Sequence, residues 1–259
     1  MKSHWPRAAF IAVVAQAAAA GAFAADMPVK APVAMPAYSW TGWYAGLNAG
    51  FAESHAGFSL DPTGAWAGAA PQAADVVKAT TDTLHPRGFA GGGQIGWNYQ
   101  LRYIVIGLEA DIDYVGANSS LTGGAILPTS IVGFSQAASE QWLSTVRGRL
   151  GFLVMPEALV YATGGLAMAG WNLNMHMTSS GVDAVFSDSL TRTGWTVGGG
   201  LEVALARSWT GKVEYFRADF GSVTGSSVFP PPNTPNFTQT HNVSLTTDTV
   251  RVGLNYQFH

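Results

Sequence analysis

Residues 104–114 read IVIGLEADIDY, and the reading of this stretch decides the fold. Ile104, Ile106, Leu108, Ile112 and Tyr114 fall on one side of an extended chain, and Gly107, Glu109, Asp111 and Asp113 fall on the other. A period of two marks a β-strand whose faces meet different surroundings. A soluble sheet would bury the apolar face and leave the acids in water. A membrane strand would do the reverse.

The same alternation recurs along the chain. Residues 43–51 place Trp43, Leu47 and Phe51 opposite Tyr44, Gly46, Asn48 and Gly50. Residues 89–99 place Phe89, Ile95, Trp97 and Tyr99 opposite Gln94, Gly96 and Asn98. Residues 142–152, 160–168, 195–205, 209–215 and 250–258 continue the pattern, which predicts eight strands. Their polar faces carry Arg147, Arg149, Glu202, Lys212, Glu214 and Arg251, and their apolar faces carry Trp142, Trp195 and Trp209. Several of these charges lie mid-strand. Facing hydrocarbon, each would cost on the order of 2–4 kcal/mol. Enclosed together, acids and bases pair. The charged face is therefore expected to line a closed barrel and the apolar face to meet lipid, which leaves no sheet edge for lipid to satisfy.

Composition points the same way. Only 11% of the 259 residues are charged and 47% are hydrophobic, with 31 glycines and nine tryptophans; soluble chains carry roughly 25% charged residues. The net charge of −3 argues against nucleic acid as a partner. The absence of cysteine excludes disulfides and thiolate chemistry. At the N-terminus Lys2 and Arg7 precede an apolar run and an Ala22-Phe23-Ala24 cleavage pattern, so residues 1–24 read as a secretory signal peptide. Its removal leaves 11 basic against 16 acidic residues. Residues 25–39 are a Pro/Ala-rich periplasmic linker, and residues 40–259 the barrel.

The connections alternate in length. Those near Leu101-Arg102, Val154 to Pro156 and Ala206 to Ser208 are tight, and the others are long and rich in Gly, Ser, Thr, Pro and Asp. This is the asymmetry of an outer-membrane barrel, with short periplasmic turns and long extracellular loops. The tight turns would pair Gln94 with Glu109, Arg149 with Tyr161, Arg147 with Thr163, and Glu202 with Lys212, keeping like faces together. The expectation is an all-β, eight-stranded antiparallel up-and-down transmembrane barrel. Eight strands leave an interior only wide enough to be filled by side chains or to hold one small ligand.

The blocks YSWTGWYAGLNAGF (38–51), GGGQIGWNYQ (91–100), WLSTVRGRLGF (142–152), LVYATGGLA (159–167), WTVGGGLEVAL (195–205), WTGKVEYFRADFG (209–221) and VRVGLNYQFH (250–259), with the opening stretch, resemble the porin-family outer-membrane β-barrel proteins of the rhizobial and Brucella type. That group shares an OmpA-like eight-stranded barrel and includes surface antigens and haemin-binding relatives. The resemblance implies an outer-membrane location and a structural or surface role, with solute passage or haem binding in some relatives, and no catalytic residue. Arg251, Gly253, Tyr256 and Phe258 resemble the C-terminal signal read by the barrel-assembly machinery, although His259 follows the terminal Phe.

Other motifs read as structural. Residues 91–96 contain G-x-G-x-x-G but no helix follows, so the nucleotide fingerprint lacks its context. His55, His85, His176 and His241 lie in or beside the long connections; they are the candidates for haem at the outer mouth, yet no metal-ligand spacing links them and no cofactor is assigned. Glu109, Asp111 and Asp113 read as an ion-pair network rather than catalytic carboxylates, because Arg147 can face them. No Ser-His-acid triad is marked, so no enzyme is expected. Asp61, Asp75, Asp82, Asp183 and Asp188 would form an acidic rim that bridges to lipopolysaccharide phosphates through divalent cations. Outer-membrane lipid and lipopolysaccharide are the expected surroundings. The sequence is silent on oligomeric state. Three roles stay open: a structural surface barrel, a narrow gated porin for small solutes, and a receptor for haem or a host ligand.

Overall fold

The computed structural model describes residues 38–64, 77, 81–126, 131–179, 182–228 and 237–258. The signal-peptide segment, residues 25–37 of the linker, His259, and Asp75 of the expected acidic rim lie outside the described residues. The strands are β1 (Gly42–Gly64), β2 (Asp82–Leu84), β3 (Arg87–Leu101), β4 (Ile104–Ile126), β5 (Ile131–Met155), β6 (Ala158–Ser179), β7 (Val182–Ala206), β8 (Trp209–Val228) and β9 (Phe237–Phe258). β1 pairs antiparallel with both β2 and β3, each strand from β3 onward pairs antiparallel with the next, and β9 returns to β1 from Trp43↔Phe258 to Gly64↔Phe237, which closes the ring. Short β2 continues the line of β3 along β1 beyond His85-Pro86. Pro86 has no N–H for the ladder, while its carbonyl accepts the Ser54 N–H at 2.8 Å. β2 and β3 make one stave, so the barrel has eight.

The long connections are mostly strand. Apart from β2 and β3 the strands run 20–25 residues, about twice the 9–11 residues that cross hydrocarbon. The wall therefore continues well beyond the lipid, and residues expected in loops, such as His176 and Asp183, lie on it.

The two halves of the barrel have opposite polarity. In the half that ends in the tight turns, large apolar side chains point outward: Leu47 is 73% exposed, Phe51 72% and Leu166 68%. A water-facing belt of this kind would be far larger than the few hundred Å² a soluble monomer leaves exposed; this is the lipid-spanning band. Aromatic rings edge it at two levels, with Trp43, Trp97, Trp209 and Tyr256 near the tight turns and Phe51, Tyr114, Trp142 and Trp195 at the outer level. Beyond the outer level the apolar side chains turn inward. Phe58, Leu84, Val115, Leu143, Trp171, Leu173, Phe216, Phe220, Val243 and Leu245 form one buried cluster inside the barrel, while Glu53, His55, Arg217 and Asp248 stand on its outer wall.

Bulges help to re-phase the staves at or beyond this boundary. On β5 the buried positions are odd from Leu143 to Arg149 and even from Phe134 to Glu140, because Gln141 interrupts the register between Glu140 and Trp142. On β8 the buried positions stay even past the boundary, through Phe220, and become odd at Val223 after the irregularity between Asp219 and Ser222, where Gly221 adopts φ 68, a conformation that favours glycine.

Register corrects part of the sequence reading. The first tight turn is Arg102-Tyr103, with Leu101 opposite Ile104, so Gln94 pairs with Asp111 and Gly96 with Glu109. At the second turn Arg149 pairs with Thr163 and Arg147 with Gly165. Both shifts are two residues, which leaves every side chain on its expected face. Glu202 pairs with Lys212 as expected.

Candidate functional site

The most elaborate side-chain constellation fills the barrel within the lipid band. Alternation aims Glu109, Asp111 and Asp113 inward from β4, Arg147 and Arg149 from β5, Glu202 from β7, Lys212 and Glu214 from β8, and Arg251 from β9; all nine are buried. Across the ladder each of the four bases faces a glycine: Arg147 faces Gly165, Arg149 Gly107, Lys212 Gly253 and Arg251 Gly50. A Cβ on Gly165 would lie 2.1 Å from the Val146 carbonyl oxygen, and one on Gly50 2.1 Å from that of Val250. These positions admit no side chain, and the space lets the long bases turn across the lumen.

The contacts tie opposite walls together. Arg147 donates from Nη2 to Glu109 Oε1 at 2.7 Å and Asp111 Oδ2 at 2.9 Å, and from Nη1 to Glu214 Oε1 at 2.9 Å. Arg251 donates from Nη1 to Asp113 Oδ2 at 2.7 Å, from Nη2 to Asp111 Oδ2 at 2.9 Å, and from Nε to Glu214 Oε2 at 2.9 Å. Lys212 Nζ lies 2.9 Å from both oxygens of Glu109 rather than on its ladder partner Glu202, which accepts from Arg149, Thr210 and Asn255. Five acids meet four bases. Buried charges persist only when paired and hydrogen-bonded in this way, and removing one partner typically costs about 3–5 kcal/mol.

Aromatic and polar residues absent from the expected network complete it. Tyr44 donates to Glu109 Oε2 at 2.7 Å. Arg149 packs its guanidinium carbon 3.8 Å from the centroid of the Tyr161 ring. Phe216 meets both Arg147 and Arg251, at 4.9 and 4.8 Å, and is also part of the apolar cluster above. It forms the floor between the two levels. Tyr44 and Tyr161 have the parity of the charges, so the alternation already placed them inside; Phe216 shares the parity of Lys212 and Glu214 and was legible by the same rule.

Above the outer aromatic level a separate acid is enclosed. Glu140, two residues past Trp142, accepts at Oε2 from Ser54 at 2.5 Å and Thr247 at 2.7 Å. Burial pushes its carboxyl up to about 7, against the opposing pull of those two hydrogen bonds.

The four histidines separate into three places. His241 is buried in the barrel with its ring 5.7 Å from that of Phe186. His176, on β6, lies 3.4 Å from Asp183. His55 and His85 meet on the outer wall beside Glu53, their ring centroids 4.8 Å apart. Burial, followed by the neighbouring His85, lowers the pKa of His55 from its ordinary value. Glu53 was not among the residues singled out from sequence; cross-strand pairing, which no linear spacing displays, brings it there. Among the described residues Glu53, His55 and His85 are the one group of three with metal-ligating atoms within reach of one another, and the described acids of the expected rim form none.

Residues 8–258 match the family model described as "Outer membrane protein beta-barrel domain". The chain is 34% identical over 269 aligned residues to the 31 kDa outer-membrane immunogenic protein of Brucella melitensis, covering 97% of this chain and 100% of that one. It is 31% identical over 256 residues to the 25 kDa outer-membrane immunogenic protein of Brucella abortus, covering 97% and 95%. Among solved structures, the outer membrane protease OmpT of Escherichia coli aligns with a TM-score of 0.47 at 8% identity, covering 87% of this chain and 99% of that one.

Proposed function

The chain belongs to the outer membrane protein beta-barrel domain family, and on that premise we propose that it serves the bacterial envelope as a sealed structural barrel, holding its outer storey at the cell surface without passing solute. The observation that carries this reading is the filling of the lumen at two successive levels. Arg147 and Arg251 cross it, fully buried, within the lipid band. Phe216, Trp171 and Phe220 fill it above. A solute would have to break a paired charge layer and then an apolar one. Outer-membrane lipid and lipopolysaccharide surround such a wall.

The reading includes no catalysis, since the buried carboxylates of the lipid band are held by bases rather than aimed at an open cleft. It takes residues 1–24 as the export signal and residues 25–39 as a linker. It takes Arg251, Gly253, Tyr256 and Phe258 as the label read during assembly, because the same strand must find β1 to close the ring. Planar-bilayer recording of the refolded barrel tests the function. The expected result is a silent membrane, with or without haemin. Reproducible single-channel steps from the unaltered chain would replace this reading with that of a narrow porin.

A further inference from the structure

The outer wall carries a cluster that the sealed-barrel reading does not use. Glu53 and His55 are alternate residues of β1 and point outward just beyond Phe51. Opposite Glu53 stand Asp248 on β9 and Arg87 on β3. His85 falls in the break between β2 and β3, and its ring meets that of His55 at 80°. The break at Pro86 therefore sets a histidine against β1 at the level of another histidine.

The atoms converge. His55 Nε2 and His85 Nδ1 each lie 3.9 Å from the same carboxylate oxygen, Glu53 Oε1. The three ligating atoms fit within 4.8 Å of one another. The second ring nitrogen of His55 faces Asp248 Oδ2 at 3.8 Å and has no hydrogen-bond partner among the described residues. A metal-ligating histidine commonly donates its other N–H to a carboxylate, which fixes the ring. Asp248 is placed for that role and is itself held by Arg217 at 2.9 Å and by Tyr215 at 2.7 Å.

We propose that Glu53, His55 and His85 bind one divalent transition-metal ion of the zinc class on the outer wall, with Asp248 positioning His55. Imidazole with a single carboxylate suits zinc, copper or nickel and not the all-oxygen preference of calcium or magnesium. Two histidines and one glutamate also make a three-ligand set that leaves a coordination position open. Arg87 is the competitor. Its Nη2 now donates to Glu53 Oε1 at 2.5 Å, the oxygen the ion requires. The Arg87 side chain is 69% exposed, so it is free to swing into solvent when the ion arrives.

Isothermal titration of the full refolded barrel with zinc sulfate, in a buffer that does not chelate, tests the site. One ion per chain is expected. His55→Ala and His85→Ala should each weaken binding at least tenfold, and Asp248→Asn about tenfold. His176→Ala should leave it unchanged. Arg87→Gln should tighten it several-fold, a gain that misfolding cannot mimic; retained heat-modifiable migration in gels checks the fold of each variant. The proposal is overturned if neither the unaltered barrel nor Arg87→Gln binds zinc saturably. It is equally overturned if binding survives in the His55→Ala/His85→Ala double variant. Neither outcome depends on whether the barrel conducts.

Discussion

At the scale of single residues, the parity of a strand is legible and the reach of a side chain is not. Alternation alone placed nine charges on one enclosed face, and all nine lie there. It did not reveal that Lys212 would bypass its neighbour Glu202 for Glu109, because that choice depends on the width of the lumen and on the glycines opposite each base. Glu140 was missed for another reason: it lies past the bulge at Gln141, where the alternation of residues 142–152 no longer counts. Its chemistry yields a pH prediction. A carboxyl raised to about 7 in the folded barrel from an ordinary 4.5 binds its proton more tightly folded than unfolded. Stability should therefore fall as pH climbs from about 4.5 to about 7, by up to roughly 3 kcal/mol from this group. Glu140→Gln removes the titrating group and keeps an acceptor for Ser54 and Thr247. Urea unfolding in detergent at a series of pH values should show the variant gaining on the unaltered barrel through that window and holding its advantage above it. Parallel profiles would refute the assignment.

At the scale of elements, the eight staves were legible and their length and register were not. A two-residue slip keeps parity, so alternation could not distinguish Gln94↔Glu109 from the observed Gln94↔Asp111; only the turn at Arg102-Tyr103 decides. Strand length was hidden by a change of environment. On β6 the large outward-facing apolar side chains, Val160, Leu166 and Met168, sit at even positions, and beyond them Trp171, Leu173, Met175 and Met177 are buried at odd ones, since the outer face leaves lipid while the inner face becomes an apolar core. Searching for one continuous pattern makes such a strand seem to end at the boundary, and its second half reads as loop. The phase inversion is itself a sequence signal for the outer limit of the membrane, visible between Phe51 and Ala52 and between Tyr215 and Phe216. On β5 the bulge at Gln141 must supply the phase that the outer half needs. Deleting Ser139, one residue past that bulge, would turn Phe134, Gln136 and Ala138 outward and draw their neighbours in. Limited proteolysis should then cut β5 beyond Trp142 while the lipid-spanning band stays protected. Full resistance of the deletion variant would mean that the outer storey does not depend on this phase.

At the scale of the whole molecule, two seals lie in series, and their order separates a structural barrel from a gated pore. In a gated pore one layer blocks the path, so loosening the charge network alone opens it. In the barrel described here Phe216 sits above Arg147 and Arg251 and below the rest of the apolar cluster, so each layer backs the other. Replacing Arg147 and Arg251 by Ala weakens the charge layer and lowers stability by several kcal/mol, yet the Phe216 layer still closes the lumen. Phe216→Ala alone opens a cavity above an intact charge layer. Neither change should give conductance above the unaltered chain in planar bilayers. The triple variant removes both obstacles along one line, and it should give small, steady steps. Steps from the Arg147→Ala/Arg251→Ala variant alone would show that the charge layer is the gate and that the outer cluster leaks. Silence from the triple variant, with correct migration and strand content, would place the seal higher, among Trp171, Phe220 and Leu245.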